Sequence, residues 1–412
     1  MDMTDTCYYR NPYQRDLTTT IRAIEKYAQR TAVVLGATIC YPEGGGQPGD
    51  RGALNGITIV DTIKDDDDRI LHLLSESPNL SVGDTVHVEL DWKHRYDYMQ
   101  QHTAQHLLSG TFHRLFDIGT VSVHLGHEDM SIELDTRDIS DETIDALEEE
   151  VNRIIRLAVP VTARTVTQRE SQDIPLRRSV KVDGDVRLVT IGQFDTIACG
   201  GVHVADTAEL ASVQYLRKET IRGNTKTFWL AGDRALRAIR RNRKVVDAAG
   251  TLLSMPPEGI PEGIEALQQQ VSDTRHQAHA YRSQVVAMKM ESLLTEAPLH
   301  EGIPVVMLDA SSWTEDEFRS LPETFFSVSH IKLCAVRERA DGKLGWMVAL
   351  KGFDQENQCF SEIRVEALPL IDGKGGGKAP LWQGVGVNKE GKLPFLQSVR
   401  DIFTGGAHGQ TI

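Results

Sequence analysis

Gln101-His102-Thr103-Ala104-Gln105-His106-Leu107-Leu108-Ser109 is the stretch on which the reading of this chain turns. It lies within Trp92 to Phe116, where Met99, Leu107, Leu108, Phe112 and Leu115 recur at helical intervals and predict a helix. Four residues advance about 400° around a helix, so His102 and His106 leave one face and can share one ion. The pair alone is weak evidence, because 14 His among 412 residues give roughly half of one such spacing by chance. A zinc-peptidase helix carries Glu directly after its first His, whereas Thr103 stands here, which argues against that class.

A second pair strengthens the first. Cys199-Gly200-Gly201-Val202-His203 sets a thiol and an imidazole four residues apart, with two glycines that let the backbone turn tightly between them. Sulfur with imidazole favours zinc, and His102, His106, Cys199 and His203 together make a plausible tetrahedral set. The competing reading is a buried free cysteine beside a tight turn with a hydrogen-bonded histidine. Four protein ligands would also close the site, so catalysis requires one of them to bind weakly or leave. His113, eleven residues beyond His102, is read as a core or surface histidine rather than as a support for a ligand.

N-terminal to the helix, residues 1 to 90 read as β structure. Thr31-Ala32-Val33-Val34-Leu35 and Ile57-Thr58-Ile59-Val60 are short β-branched runs separated by Gly, Pro and Asp signals. Asp65 to Asp68 lacks the spacing of a calcium loop and is expected to be a hairpin turn. Beyond the helix, an acidic helix near 140–157 and strands around 161–167, 186–191 and 209–215 complete an α+β domain over 91–240. Residues 241–297 form a helical linker, broken at Pro256-Pro257-Glu258-Gly259-Ile260-Pro261. Its second helix repeats every seven residues: Ile264, Val271, Ala278 and Val285 on one register, Leu267, Thr274, Tyr281 and Met288 on the other. That pattern suits a helical hairpin or a coiled-coil seam in a homodimer. Residues 298–412 read as a small α/β domain, with strands near 303–308, 331–337 and 345–350 and a loop at Gly373-Lys374-Gly375-Gly376-Gly377-Lys378.

The bulk numbers bound the partners. The chain is 40% hydrophobic and 25% charged, as in soluble globular proteins, and lacks the apolar run of about 18 residues that a membrane helix needs. Its N-terminus is acidic and polar, unlike a secretory signal. Five scattered cysteines fit a reducing cytoplasm. A net charge of −14 argues against general polyanion binding, yet ten Lys or Arg between Arg217 and Lys244 face only Glu219 and Asp233. Such a stretch can direct a nucleic acid to one face or be a solvated helix surface.

Four blocks now carry a resemblance: Tyr41-Pro42-Glu43-Gly44-Gly45-Gly46-Gln47-Pro48-Gly49-Asp50-Arg51-Gly52, the histidine stretch quoted above, Cys199-Gly200-Gly201-Val202-His203-Val204, and Gly373 to Lys378. Over essentially its whole length the chain resembles the stand-alone alanyl-tRNA editing proteins of the AlaX type, long form, related to the editing domain of alanyl-tRNA synthetase. The resemblance implies zinc ligands at His102, His106, Cys199 and His203. It implies an N-terminal β-barrel whose glycine motif, with Gly44, Gly45, Gly46 and Gln47, helps to form the substrate pocket, and it sets Arg222 near the tRNA end. Val202 departs from the Thr of many relatives. The last region resembles the C-terminal part of alanyl-tRNA synthetase, associated there with tRNA contact and dimerisation; its glycine loop invites either a phosphate cradle or a plain turn. Nothing resembles the ATP-binding motifs of a synthetase.

The implied activity is hydrolysis of the ester that joins serine, or else glycine, to tRNA for alanine. A pocket that hydrogen-bonds the serine hydroxyl would leave polar groups unpaired with alanine. Gln47, Ser122 and His124 are the candidates, the last two alternating along a probable strand and so sharing a face. The rivals are a tRNA-binding protein whose zinc only holds the fold, and a phosphoesterase, against which the absence of an Asp-His-His motif counts.

Overall fold

The computed structural model describes residues 4–178 and 184–406. The architecture is α+β, and the chain divides into two compact units, Met1–Ala249 and Gly250–Ile412. No helix among the described residues is long and apolar enough to cross a membrane.

The first unit opens with a closed six-stranded antiparallel barrel, in the order Asp16–Tyr27, Arg30–Leu35, Ile70–Leu74, Ile57–Lys64, Gly52–Leu54, Thr85–Leu90. Strand Thr85–Leu90 shows why: Val86, Val88 and Leu90 point inward and Thr85, His87 and Glu89 outward, the two-residue period of a half-buried strand. With Ile21, Val33, Leu35, Leu54 and Ile59 they fill the barrel. The four aspartates make a hairpin turn as expected, with the Asp65 carboxylate accepting from the backbone N–H of Asp67 and Arg69.

The histidine helix, Trp92–Phe116, starts where the Asp91 carboxylate caps His94 N–H and stops at Asp117 in the left-handed conformation. Every residue from Tyr98 to Phe112 is buried, so this is a central helix wrapped on all sides rather than a surface helix with one apolar stripe. It meets the barrel through Arg95. That side chain is fully buried, pairs with Asp50, and donates to the carbonyls of Pro12 (2.8 Å) and Ile39 (2.6 Å). The acidic helix Asp141–Arg156, capped by Ser140, packs Ile144, Leu147, Val151, Ile154 and Ile155 into the same core. A four-stranded sheet (Val213–Ile221, Asn224–Ala231, Met130–Leu134, Thr120–Leu125) and a three-stranded one (Val161–Val166, Val186–Ile191, Asp195–Ala198) complete the unit.

One strand expectation needs correction. Residues 209–212 are not extended: Thr207–Leu210 is a 3-10 turn, and the strand begins at Val213. The Asp206 carboxylate caps Ala208 N–H, while Glu209 accepts from the hydroxyls of Tyr13 and Tyr96, and these bonds hold the segment in a turn.

In the second unit, the long helix Ile260–Glu296 follows left-handed Ser254 and a 3-10 turn at Pro257–Gly259. Its Val286 and Met290 are buried with the helix Glu315–Phe325, whereas both heptad registers are exposed. A six-stranded sheet follows, containing Ile303–Asp309, Ile331–Glu338 and Leu344–Lys351 where strands were expected. The tract at Gly373–Lys378 is not a loop. Lys374–Lys378 is the exposed edge strand of this sheet, pairing with Leu381–Gly386. A Cβ on Gly375 would lie 2.3 Å from the Gln383 carbonyl and 2.6 Å from the Trp346 ring, and one on Gly384 would also lie 2.6 Å from that ring. The glycines therefore make room for an indole under the sheet edge.

Candidate metal centre

Two structural pieces meet within the first unit. The middle of the histidine helix supplies His102 and His106, and the turn after strand Asp195–Ala198 supplies Cys199 and His203. One ligand atom from each of the four lies within 4.8 Å of the others, a grouping that could hold a metal ion. Cys199 Sγ is 3.5 Å from His102 Nε2 and 3.3 Å from His203 Nε2, and the three imidazole centroids are 4.5 to 4.9 Å apart.

The opposite nitrogens are held from behind. His102 Nδ1–H donates to Gln47 Oε1 at 2.8 Å, and the same oxygen accepts from Val202 N–H at 3.1 Å. Thr103 Oγ1 lies 3.1 Å from His203 Nδ1 and accepts Val204 N–H. These bonds orient Nε2 of both rings toward the sulfur, the arrangement by which proteins fix a metal-binding imidazole. His106 Nδ1 is buried with no hydrogen-bond partner among the described residues, 3.9 Å from the Asp195 carboxylate, which Arg177 holds at 2.8 Å.

Burial sets the charge state. It pushes His102 down to about 3, with Arg187 adding to the effect, and holds His106 and His203 well below the usual imidazole value. It pushes the Cys199 thiol up to about 11. Three neutral imidazoles thus surround a thiol that needs a cation to ionise, and the donor set fits a soft divalent metal.

The glycines have distinct duties. Gly45 and Gly46 are both left-handed, forming a tight turn closed by Gly44 N–H to the Gln47 carbonyl and Gln47 N–H to the Gly44 carbonyl. The turn delivers Gln47, 1% exposed, to His102. At Gly201 a Cβ would fall 2.2 Å from the His102 ring and 2.8 Å from Gln47 Oε1, so only glycine lets the turn approach. Arg187 Nη1 donates to the carbonyls of Cys199 and Gly201, both at 2.8 Å, while Tyr9 Oη–H donates to that of Gly200 at 2.9 Å. The Arg187 guanidinium lies over the Tyr9 ring. Cys199 is the half-exposed member of the set, so the centre faces solvent beside Tyr9 and Arg187.

Other candidates lie elsewhere. Ser122 and His124 are exposed; Ser122 Oγ–H donates to Glu133, and the intervening Val123 flanks Gly46. Arg222 sits at the exposed turn between Val213–Ile221 and Asn224–Ala231, where its charge, with Asn224 and Ser122, favours an ionised Glu133. His113 lies half-exposed beside Asp117. Sequence reasoning missed Thr103 as a ligand support, and also Asp195, Arg177, Arg187 and Tyr9.

Comparison with known proteins shows which family the chain belongs to. Residues 12–94 match the family described as tRNA synthetases class II (A), and residues 186–226, spanning Cys199 and His203, match the threonyl and alanyl tRNA synthetase second additional domain. The chain belongs to the alanyl-tRNA editing proteins. It is 30% identical to alanyl-tRNA editing protein AlaX-L of Pyrococcus horikoshii, over 93% of this chain and 94% of that one. It is 30% identical to alanyl-tRNA editing protein Aarsd1 of Bos taurus, over 89% and 85%. Alanine–tRNA ligase of Methanothrix thermoacetophila is 26% identical over 95% of this chain and 43% of its own length.

Proposed function

We propose that this protein is a zinc-dependent deacylase that hydrolyses seryl-tRNA for alanine and spares alanyl-tRNA. The observation that carries the reading is the convergence of His102, His106, Cys199 and His203 on one point, with Gln47 bonded to a ligand at its edge. A nitrogen-rich set with one thiolate suits zinc. Zinc so held supplies Lewis acidity, which polarises an ester carbonyl or acidifies water.

The chain's own residues do the rest. The rigid, buried helix fixes His102 and His106, Thr103 and Gln47 set the orientations of two rings, and Arg187 with Tyr9 immobilises the turn that carries Cys199. Gln47 Nε2 is buried with no partner among the described residues, which suits it to donate to the hydroxyl oxygen of a serine ester. Alanine in that place would leave the donor unpaired, a penalty of about 1–3 kcal/mol. Ser122 and His124 share the opposite face of their strand from Val123, so serine recognition is given to Gln47. The reading includes the cytoplasm as its place of action and a second copy of the chain against the exposed heptad stripe.

A purely structural zinc is favoured by one observation, the presence of four protein donors rather than three. The deciding experiment incubates the metal-loaded protein with Ser-, Gly- and Ala-charged tRNA for alanine, with and without a chelator. The serine ester half-life is expected to shorten, the alanine ester to persist, and chelation to abolish the difference; unchanged half-lives with metal-loaded protein reject the proposal. Cys199→Ala should lower turnover by more than about 100-fold, beyond what loss of a ligand's outer partner brings. A folded, tRNA-binding wild type without turnover would leave the structural-zinc reading.

A further inference from the structure

The ten basic residues between Arg217 and Lys244 are not one patch. Arg217 pairs with Asp129 and Glu219, Lys218 with Asp141, and Arg234 is buried against Asp97. Lys226 lies over the Phe228 ring, Arg222 stands apart on the turn before Asn224, where its charge acts on Glu133, and Arg243 lies 3.9 Å from Asp247. Arg237, Arg240, Arg241 and Lys244 remain, exposed on the helix Gly232–Leu253, and among the described residues none of them has an acidic partner within ion-pair distance.

Their spacing puts them together. Positions 237, 240, 241 and 244 are i, i+3, i+4 and i+7, one stripe about 10 Å long, on the side away from buried Ala235 and Ala238. Arg237 with Arg241, and Arg240 with Lys244, are like-charge i,i+4 pairs, an arrangement that destabilises a helix where opposite charges would support it. An ordinary solvated helix face carries both signs, as the second unit's long helix does with exposed Glu262, Glu265, Asp273 and Arg275. A strand of phosphates would relieve the repulsion on the arginine helix, and guanidinium groups match phosphate oxygens in geometry.

We propose that Arg237, Arg240, Arg241 and Lys244 form a docking stripe for the sugar-phosphate backbone of RNA, carrying the tRNA body while its aminoacyl end occupies the metal centre. The occupant follows from the charge: a protein of net charge −14 keeps a local, uncompensated cationic row, which selects a polyanion at one place. The tRNA identity rests on the proposed deacylase function. The stripe itself requires only RNA binding.

The test measures the Kd of the full-length protein for uncharged tRNA against salt concentration, which needs no turnover and so stands apart from the deacylation assay. Arg237→Gln/Arg240→Gln/Arg241→Gln/Lys244→Gln should weaken binding and make the slope of log affinity on log salt shallower by about 3 to 4, since each phosphate contact contributes roughly 0.7 to 0.9. The corresponding variant with Lys at the three arginine positions should keep most of the slope. Lys26→Gln/Arg30→Gln, exposed on the barrel, provides the control for charge alone, and circular dichroism reports whether the helix persists. An unchanged slope, an equal loss per charge from the barrel control, or binding to anionic vesicles but not to tRNA overturns the proposal.

Discussion

Two glycine tracts in this chain look alike as text and differ in kind. Gly44-Gly45-Gly46 is glycine because of conformation: two consecutive left-handed residues close a turn that presents Gln47 to His102. In the tract from Gly373 to Gly377 the deciding position, Gly375, is glycine because of space: it pairs with Gly384 across two strands, and the Trp346 ring occupies the volume that their side chains would need. One tract serves the cluster of His102, His106, Cys199 and His203 and the other a sheet edge. A tract of small residues therefore means nothing until the atom that excludes a Cβ, or the φ that excludes one, is known.

That contrast can be tested by substitutions of decreasing effect. Gly201→Ala drives a methyl into the His102 ring and should lower metal content and deacylation by more than about 100-fold, as loss of a ligand does, read by metal analysis of the folded protein. Gln47→Ala removes only the partner of His102, and metal affinity in chelator competition should fall about 10- to 100-fold. Gly375→Ala should destabilise the second unit by about 1–3 kcal/mol in denaturant titration, through overpacking against backbone and indole, with the metal content of the first unit retained. If it instead abolished metal binding, the division into a site tract and a fold tract would fail. Gly376→Ala meets open space and should change stability by less than about 0.5 kcal/mol. A larger loss there would mean that the edge strand is covered.

What the sequence disclosed follows the range of the interactions. His102 with His106 and Cys199 with His203 are local spacings, and each was readable because helix geometry or a tight turn fixes where such side chains go. The apolar periodicity from 92 to 116 was readable for the same reason. The supports were not: Tyr9 bonds to a residue 191 positions away, and Arg95 to one 45 away, and no local pattern distinguishes them from surface polar residues. The glycine tract at 373 was misread because its explanation, Trp346, lies on a different strand. Ser122 and His124 were paired correctly as neighbours on one face, yet the face that approaches Gly46 carries Val123.

Arg95 has a consequence for how this architecture can be shortened. Its guanidinium is enclosed by Asp50 and by carbonyls of Pro12 and Ile39, all from the part of the chain that precedes the helix. Stripping away that part would remove every one of these partners at once and open the guanidinium to water, so a trimmed module would carry Arg95 as a surface cation. The burial of this arginine, rather than its presence, thus reports whether a barrel stands in front of the helix.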